Sequence, residues 1–463
     1  MPYHSITFSI PESKIVSACP EKKKFKAGIV AGDSSTYVYH REEDYYKDYQ
    51  ESYFAVTKHK GGWDCLRHYE ILGNGCIPYF ISMENMPITT MTMFPKDILL
   101  ETNRLYEEML QDPEKQTNEF YTQQCKKHID NLLFHTRLYL SSTAVADSIL
   151  ERSGHSHIKS ILFLSGSTYQ DYLRCLVLGA FKKRFGTQCH DYPIIPHIYD
   201  DFTGHDGMGA CKGFTFTNVV PRSTHDDSLD NSINEDVVYK RYDLVIYGSL
   251  HRGLPMHDLV TTYYSPHEII YLCGEDICRH NACESTVIKE RIHPQSNIFV
   301  RELYSLQYYL VHQKDGNRCR HMIHEIKKGG LDALDASRIR WFIYEKEDNR
   351  SRLYQHYLCF KDIVERNKDF GVIMDDTIQL DSNIQETLRW YIQQLNEKYP
   401  GWDLIFPDHQ REIDVQRVDK GDTNYHNFNY IYIIHRKRAI QLYRLFRDGE
   451  FSFQHVDLQC YKV

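Results

Sequence analysis

Between Gly61 and Phe80 the chain reads GGWDCLRHYEILGNGCIPYF, and its polar residues fall at helical spacing. Arg67, Glu70 and Asn74 stand at i, i+3 and i+7, so a helix places them on one face. Leu66, Tyr69 and Leu72 supply an apolar side. Gly61 and Gly62 permit a tight turn and close approach of backbone to a ligand. Asp64 is placed to cap a helix beginning at Cys65, and Gly75 stands where a C′ residue ends one. The free N–H groups and dipole of such a helix start hold a diphosphate. Arg67 adds charge-assisted bonds to phosphate, and a carboxylate one turn in, Glu70, suits ribose hydroxyls. The same spacing also describes an amphipathic helix with an ordinary Arg–Glu surface pair.

Further along, Ser165-Gly166-Ser167, the stretch Gly248 to Gly253, and Gly274-Glu275-Asp276 each end a short apolar run. Ligands of open α/β sheets bind at the carboxyl ends of strands. Ser249, His251, Arg252, Glu275 and Asp276 are therefore candidate site residues, with His251 or Glu275 as a general base on a substrate hydroxyl. Glycine turns and helix caps account for the same residues without a ligand. In DFGVIMDDTIQL, Asp375 and Asp376 close an apolar strand. Adjacent carboxylates there bind a divalent ion that bridges a diphosphate, and a turn or helix cap is the competing explanation.

These residues need elements to position them. The 463 residues suggest two to four domains. Three sections separate on pattern, with boundaries at 1–154, 155–314 and 315–463. The first has strands, the glycine–helix motif and a helical stretch from about Asn118 to Arg152. In the second, HIKSILFLSGS, YDLVIYGS, HEIIYLCGED and NIFVREL read as buried strands, and TYQDYLRCLVLGAFKKRFG as a helix. That alternation predicts a parallel, doubly wound sheet. Thr203–Asp236, rich in Gly, Ser, Asp and Asn, is expected to be an exposed loop. The third section reads as strand, helix, strand, helix, then a strand running into a helix at NYIYIIHRKRAIQLYRLF.

Net charge is -8, which argues against nucleic acid as a partner. No apolar run approaches a membrane span of roughly 18 residues, and no signal peptide is seen, so a cytoplasmic location is expected. The 13 cysteines include no CxxC pair and read as small buried hydrophobes. The 35 tyrosines suit either sugar stacking or core and interface filling.

YFAVTKHKGGWDCLRHYEILGNGCIPYF resembles the nucleotide-sugar half of exostosin-like glycosyltransferases, on Gly62, Arg67, Glu70, Gly75, Cys76, Ile77 and Pro78. The resemblance implies paired Rossmann-like domains of GT-B type in the first two thirds. It also implies a UDP- or GDP-sugar donor, with Glu70 on the donor and Arg67 on its phosphates. Gly61, Gly62, Asp64, Ser249 and Arg252 complete the expected donor set. His251 or Glu275 would act on a glycan or glycoprotein acceptor. The whole chain resembles multi-module exostosin-like proteins of large DNA viruses, for which the location would be the host cytoplasm. SRLYQHYLCFKDIVERNKDFGVIMDD with the later YIYIIHRKRAIQL resembles the lipopolysaccharide and collagen glycosyltransferases of family 25, on Asp375, Asp376, Tyr432, Arg436, Lys437 and Ala439. That likeness implies a GT-A-like α/β module, with Mn or Mg in this C-terminal module only, at Asp375 and Asp376. Met374 stands in place of that family's first motif carboxylate and motivates an alternative, a non-catalytic glycan-binding or assembly protein built from degenerate transferase domains. A methyltransferase ranks last, because no glycine-rich cofactor loop follows Ile161–Leu164.

Overall fold

A computed structural model describes residues 3–274 apart from 61, 84–85, 87–89 and 205–212, and residues 291–302 apart from 294. Beyond these it describes 306–313, 316–328, 339–344, 349–366, 368–375, 388, 392, 404–406, 416–417, 431–447 and 460–462. The chain divides into two compact units. The first comprises Met1–Glu84, Thr90–Asp276 and Cys283–Leu303; the second is mainly Tyr304–Val463.

The first unit is built on two parallel sheets flanked by helices. The strands are β1 (Tyr3–Ser5), β2 (Lys24–Lys26), β3 (Ser52–Thr57), β4 (Ile77–Phe80), β5 (Ile161–Leu164), β6 (Cys189–Tyr192), β7 (Leu244–Tyr247), β8 (Ile269–Cys273) and β9 (Asn297–Val300). The larger sheet has the order β1-β9-β8-β7-β5-β6, and the smaller β2-β3-β4. Every pairing in both is parallel. Parallel strands are covered on both faces, so they read as unbroken apolar runs; ILFL, LVIY and IIYLC are buried throughout. From β5 the chain moves to one side, to β6, and then returns past β5 to β7. That reversal opens a crevice at the carboxyl ends of β5 and β7.

The helices are α1 (Glu42–Gln50), α2 (Leu66–Gly73), α3 (Lys96–Gln111), α4 (Glu119–His135), α5 (Ser142–Arg152), α6 (Tyr172–Phe185), α7 (Ile233–Val238) and α8 (His257–Tyr263). α4 and α5 are joined through a π-helical turn, Thr136–Leu140. The strands and the helix expected between 155 and 300 all form, as does the helical stretch before Arg152. The expected boundary at 154 falls between α5 and β5, inside one compact unit, and the chain's first strand belongs to the larger sheet, paired with β9. Arg152 Nη1 also donates to Ser5 O at 2.6 Å.

Thr203–Asp236 differs from its expectation of an exposed loop. Thr215, Phe216, Val220 and His225 are buried, and Thr215 serves as a hydrogen-bond partner inside the unit. Free Cys76, Cys125, Cys175, Cys189 and Cys359 are buried, as expected of small hydrophobes, whereas Cys273 is disulfide-bonded.

In the second unit, Leu306–Gln313, Ile339–Tyr344, Phe370–Asp375 and Ile431–His435 belong to a mixed seven-stranded sheet. Leu306–Gln313 pairs in parallel with both Ile339–Tyr344 and Phe370–Asp375. Ile431–His435 runs antiparallel to Phe370–Asp375 and passes directly into the helix Arg436–Arg447. Cys359, Phe360, Ile363, Ile373, Tyr432 and Leu442 form its core. Among the described residues no helix is long and apolar enough to cross a membrane.

Candidate functional site

α2 connects the smaller sheet to the site. It ends in a Schellman motif: Cys76 N–H donates to Ile71 O and Gly75 N–H to Leu72 O, each at 3.1 Å. Gly75 has φ +63°, a conformation glycine adopts without a Cβ penalty. At the other end the expectation of an Asp64 cap fails. The helix starts at Leu66, and Cys65 before it makes no side-chain cap. The buried Asp64 carboxylate is committed elsewhere: it accepts from Phe8 N–H at 2.7 Å and Tyr69 Oη at 2.7 Å. Its own N–H donates to Glu302 Oε1 at 2.8 Å. Asp64 thus fastens α2 to segments flanking the larger sheet.

The polar face of α2 is internal rather than solvated. Glu70 is only 6% exposed. Its carboxylate accepts from Tyr45 Oη and from Thr215 Oγ1, each at 2.5 Å. Burial pushes its pKa up, and the two hydroxyls and the nearby Arg67 only partly offset that. Thr215 also contacts Tyr46 Oη at 2.6 Å and donates its N–H to Glu42 Oε1 at 2.7 Å. It does so at φ +77°, an outlier for a β-branched residue. Asn74 is buried as well, bonded to Glu70 O and Gln50.

Arg67 is half-buried and projects toward Tyr37. Its Nη1 donates to the Tyr37 oxygen at 2.9 Å, and the guanidinium lies 4.6 Å from the ring centroid. Arg67 Nε is buried without a hydrogen-bond partner among the described residues. Lys60 Nζ and the Gly32 N–H also donate to the Tyr37 oxygen, at 3.1 and 3.0 Å. Burial raises the Tyr37 pKa, but the three donors outweigh it and bring the phenol down to about 8. Three N–H donors therefore converge on one oxygen that carries negative charge readily.

These groups line a cavity of about 640 Å³ within the first unit. The small-sheet side contributes Tyr37, Tyr39, Tyr45, Lys58, Lys60, Asp64, Arg67 and Glu70. The large-sheet side contributes Tyr169 to Tyr172, Arg252, Gly274 and Arg301. Five cationic side chains against three carboxylates, with five tyrosines, give the space a cationic excess and an aromatic wall.

The larger sheet shapes its side of the cavity through glycines. A Cβ on Gly166 would lie 2.3 Å from Arg252 O, so the β5 and β7 loops touch only because this residue is glycine. Asp171 caps α6, accepting Arg174 N–H at 3.1 Å through Oδ1. Its Oδ2 accepts from Ser249 Oγ at 2.6 Å and lies 3.4 Å from His251 Nε2. Ser249 and His251 are thus gathered on Asp171; Asp171 and Arg252 line the cavity, whereas Ser249 and His251 lie behind them. Arg174, fully buried, holds the 165–169 loop through Ser165 Oγ, Ser167 O and Tyr169 O.

Gly62 is buried beside Lys60, its carbonyl accepting Lys60 N–H at 3.0 Å. Gly61, Glu275, Asp276, Asp376 and the side chain of Asp375 lie outside the described residues; the backbone of Asp375 ends its strand as expected. Tyr432 Oη is 2.7 Å from His356 Nδ1, and Ala439 is buried. Sequence reasoning missed Tyr37, Lys60, Asp171, Thr215 and Arg301. Only Asp171 left a local trace, as an Asp ahead of an apolar helical run. Among the described residues, the group able to hold a metal is His190, His225 and Asp230, outside the C-terminal module where a metal was expected.

The fold and site define a mixed α/β protein with a tyrosine-lined cavity, rich in cationic side chains, between two parallel sheets. No protein-family model and no curated protein matches the chain.

Proposed function

We propose that the first unit is a glycosyltransferase that takes a nucleotide-diphosphate sugar and transfers the sugar to a glycan hydroxyl. The observation that carries this reading is the placement of Arg67 and Glu70 in one cavity with Lys60, Arg252 and a tyrosine wall. In this reading the diphosphate takes the donors now shared by Tyr37, and Glu70 takes ribose hydroxyls. The tyrosines stack on base or sugar. The acceptor hydroxyl attacks the anomeric carbon as the bond to the diphosphate breaks, and the leaving charge is met by Arg67 and Lys60. Asp171 on the cavity wall receives the acceptor proton, and His251, held against it from behind, is the base that backs it. The two-sheet cleft and the exostosin-like motif support a GT-B arrangement, and the strand ending at Asp375 supports a GT-A-like, Mn- or Mg-binding second unit.

A thermal-shift and calorimetric screen of UDP- and GDP-sugars on the full chain tests this, because a ligand of the folded state raises Tm. Binding of at least one, weakened in Arg67→Ala, is expected; no binding by any refutes it.

One observation favours a second reading, a non-catalytic glycan-binding protein. Both oxygens of Glu70 are already satisfied by Tyr45 and Thr215. Oligosaccharide binding without any nucleotide affinity would select it.

A further inference from the structure

At the edge of the larger sheet, away from the cavity, three segments converge. His190 lies on β6, His225 follows the turn Arg222–Thr224, and Asp230 lies in the turn Asp227–Asn231. Each offers one ligand atom, and these lie within 4.8 Å of one another. His190 Nε2 is 3.0 Å, and His225 Nε2 3.7 Å, from the same Asp230 Oδ1. Zinc bound tetrahedrally by nitrogen and oxygen at about 2.0–2.2 Å sets its ligand atoms roughly 3.3–3.6 Å apart. The observed separations bracket that spacing.

The hydrogen bonding leaves these atoms over. His190 is 1% exposed, and neither of its ring nitrogens has a hydrogen-bond partner among the described residues. His225 Nε2 and Asp230 Oδ1 are buried and equally unpartnered. Buried polar atoms are nearly always satisfied, so three orphans converging at one point, His190 Nε2, His225 Nε2 and Asp230 Oδ1, call for a ligand. The 3.0 Å approach of His190 Nε2 to Asp230 Oδ1 lacks hydrogen-bond alignment, as two ligands of one ion do.

The next layer fixes the orientation. His225 Nδ1 is 2.8 Å from Asp191 Oδ1. Asp191 also accepts from Lys182 Nζ at 2.7 Å, Tyr199 Oη at 2.6 Å and Ile195 N–H at 3.1 Å. A carboxylate receiving that many donors is an acceptor only, so Nδ1 carries the proton and Nε2 presents its lone pair inward. A carboxylate behind a ligating imidazole is the usual outer partner of a bound metal.

We propose that His190, His225 and Asp230 bind a zinc ion that clamps the 222–231 turns to the edge strand β6. Two imidazoles and one carboxylate suit zinc; magnesium and calcium take oxygen ligands. The Asp230 side chain is 32% exposed, so water supplies the fourth ligand. Asp227 Oδ1 lies 3.6 Å from His225 Nε2 but is paired with Arg222 at 2.6 Å. The clamp is independent of the sugar-transfer reading.

The test strips the full chain with a chelator and titrates it with Zn2+ against a chromophoric competitor. One equivalent per chain and a rise in Tm are expected. Asp230→Asn should weaken binding roughly 10–100-fold or more, while Asp227→Asn leaves it unchanged. X-ray absorption on the zinc-loaded wild-type chain should show only nitrogen and oxygen neighbours, which keeps the proposal testable if a variant misfolds. No stoichiometric zinc, sulfur in the first shell, or unaltered affinity in Asp230→Asn overturns it.

Discussion

Replacing Glu70 with glutamine separates a ligand-binding role from an internal one. In the wild-type chain the two carboxylate oxygens accept from Tyr45 and Thr215. Glutamine keeps one oxygen acceptor and turns its NH2 group toward the other hydroxyl. Tyr45 Oη already receives a bond from Tyr49 at 3.1 Å, so the crowded pair loses one bond. That costs about 1 kcal/mol. Glu70→Ala orphans both hydroxyls and costs about 2–6 kcal/mol. For a donor ribose, exchanging a charged acceptor for a neutral one costs about 1–1.5 kcal/mol, or about tenfold in Kd. Urea unfolding reads the first quantity and calorimetry with UDP- and GDP-sugars the second. Burial raises the Glu70 pKa, so the stability it contributes is fully present below the ordinary carboxylate pKa and is lost as pH rises through the raised value. The stability gap between wild type and Glu70→Gln therefore narrows as pH rises from the ordinary carboxylate range through the raised value. An unchanged sugar-nucleotide Kd beside a measurable loss of stability would show that Glu70 is only an internal acceptor and would refute its donor role.

Arg67→Ala should weaken sugar-nucleotide binding by about 10–100-fold, and added salt should erode the wild-type advantage; equal affinities at low salt would contradict this. Tyr37→Phe should remove one phenol that ionises near about 8 from the ultraviolet pH titration, which is read by difference against wild type. Since that pKa is depressed, the stability Tyr37 adds is present above the ordinary tyrosine range and is lost as pH falls through about 8. Gly166→Ala should destabilise the unit by about 1–3 kcal/mol in urea, because its Cβ must push the Arg252 carbonyl away.

Periodicity and glycine placement made much of the first unit legible. β5, α6, β7, β8 and β9 each announce themselves as an apolar run or a helical pattern, and Gly75 marks the end of α2. The sequence also brought Arg67, Glu70 and Arg252 forward as candidates, and one cavity gathers them. What it hid is long-range. Nothing near Asp64 indicates that Phe8 and Glu302 will use up its hydrogen bonds. Thr215 lies in a stretch whose Gly and Ser content reads as a solvated loop, yet it bonds Glu70 across 145 positions. Tyr37 looks like any other tyrosine until Arg67, Lys60 and Gly32 meet on its oxygen. His190 reads as a strand residue, and its meeting with His225 and Asp230 depends on how two turns fold back on β6.

The cavity holds its charged groups in check before any ligand arrives. Arg67 and Lys60 are occupied by Tyr37, and Glu70 by Tyr45 and Thr215. A ligand gains only the difference between its own bonds and those it displaces. A neutral hydroxyl in place of Tyr37 exchanges like for like and gains little. A phosphate oxygen carries full charge toward the same donors, and charge-assisted bonds are roughly twice as strong as neutral ones. It also brings further acceptors that can reach the buried, unpartnered Arg67 Nε, which the phenol does not satisfy. On the proposed reading, the internal tyrosine would work as a selectivity filter that penalises uncharged ligands and favours anionic conjugates, the discrimination such a transferase would need between donor and acceptor.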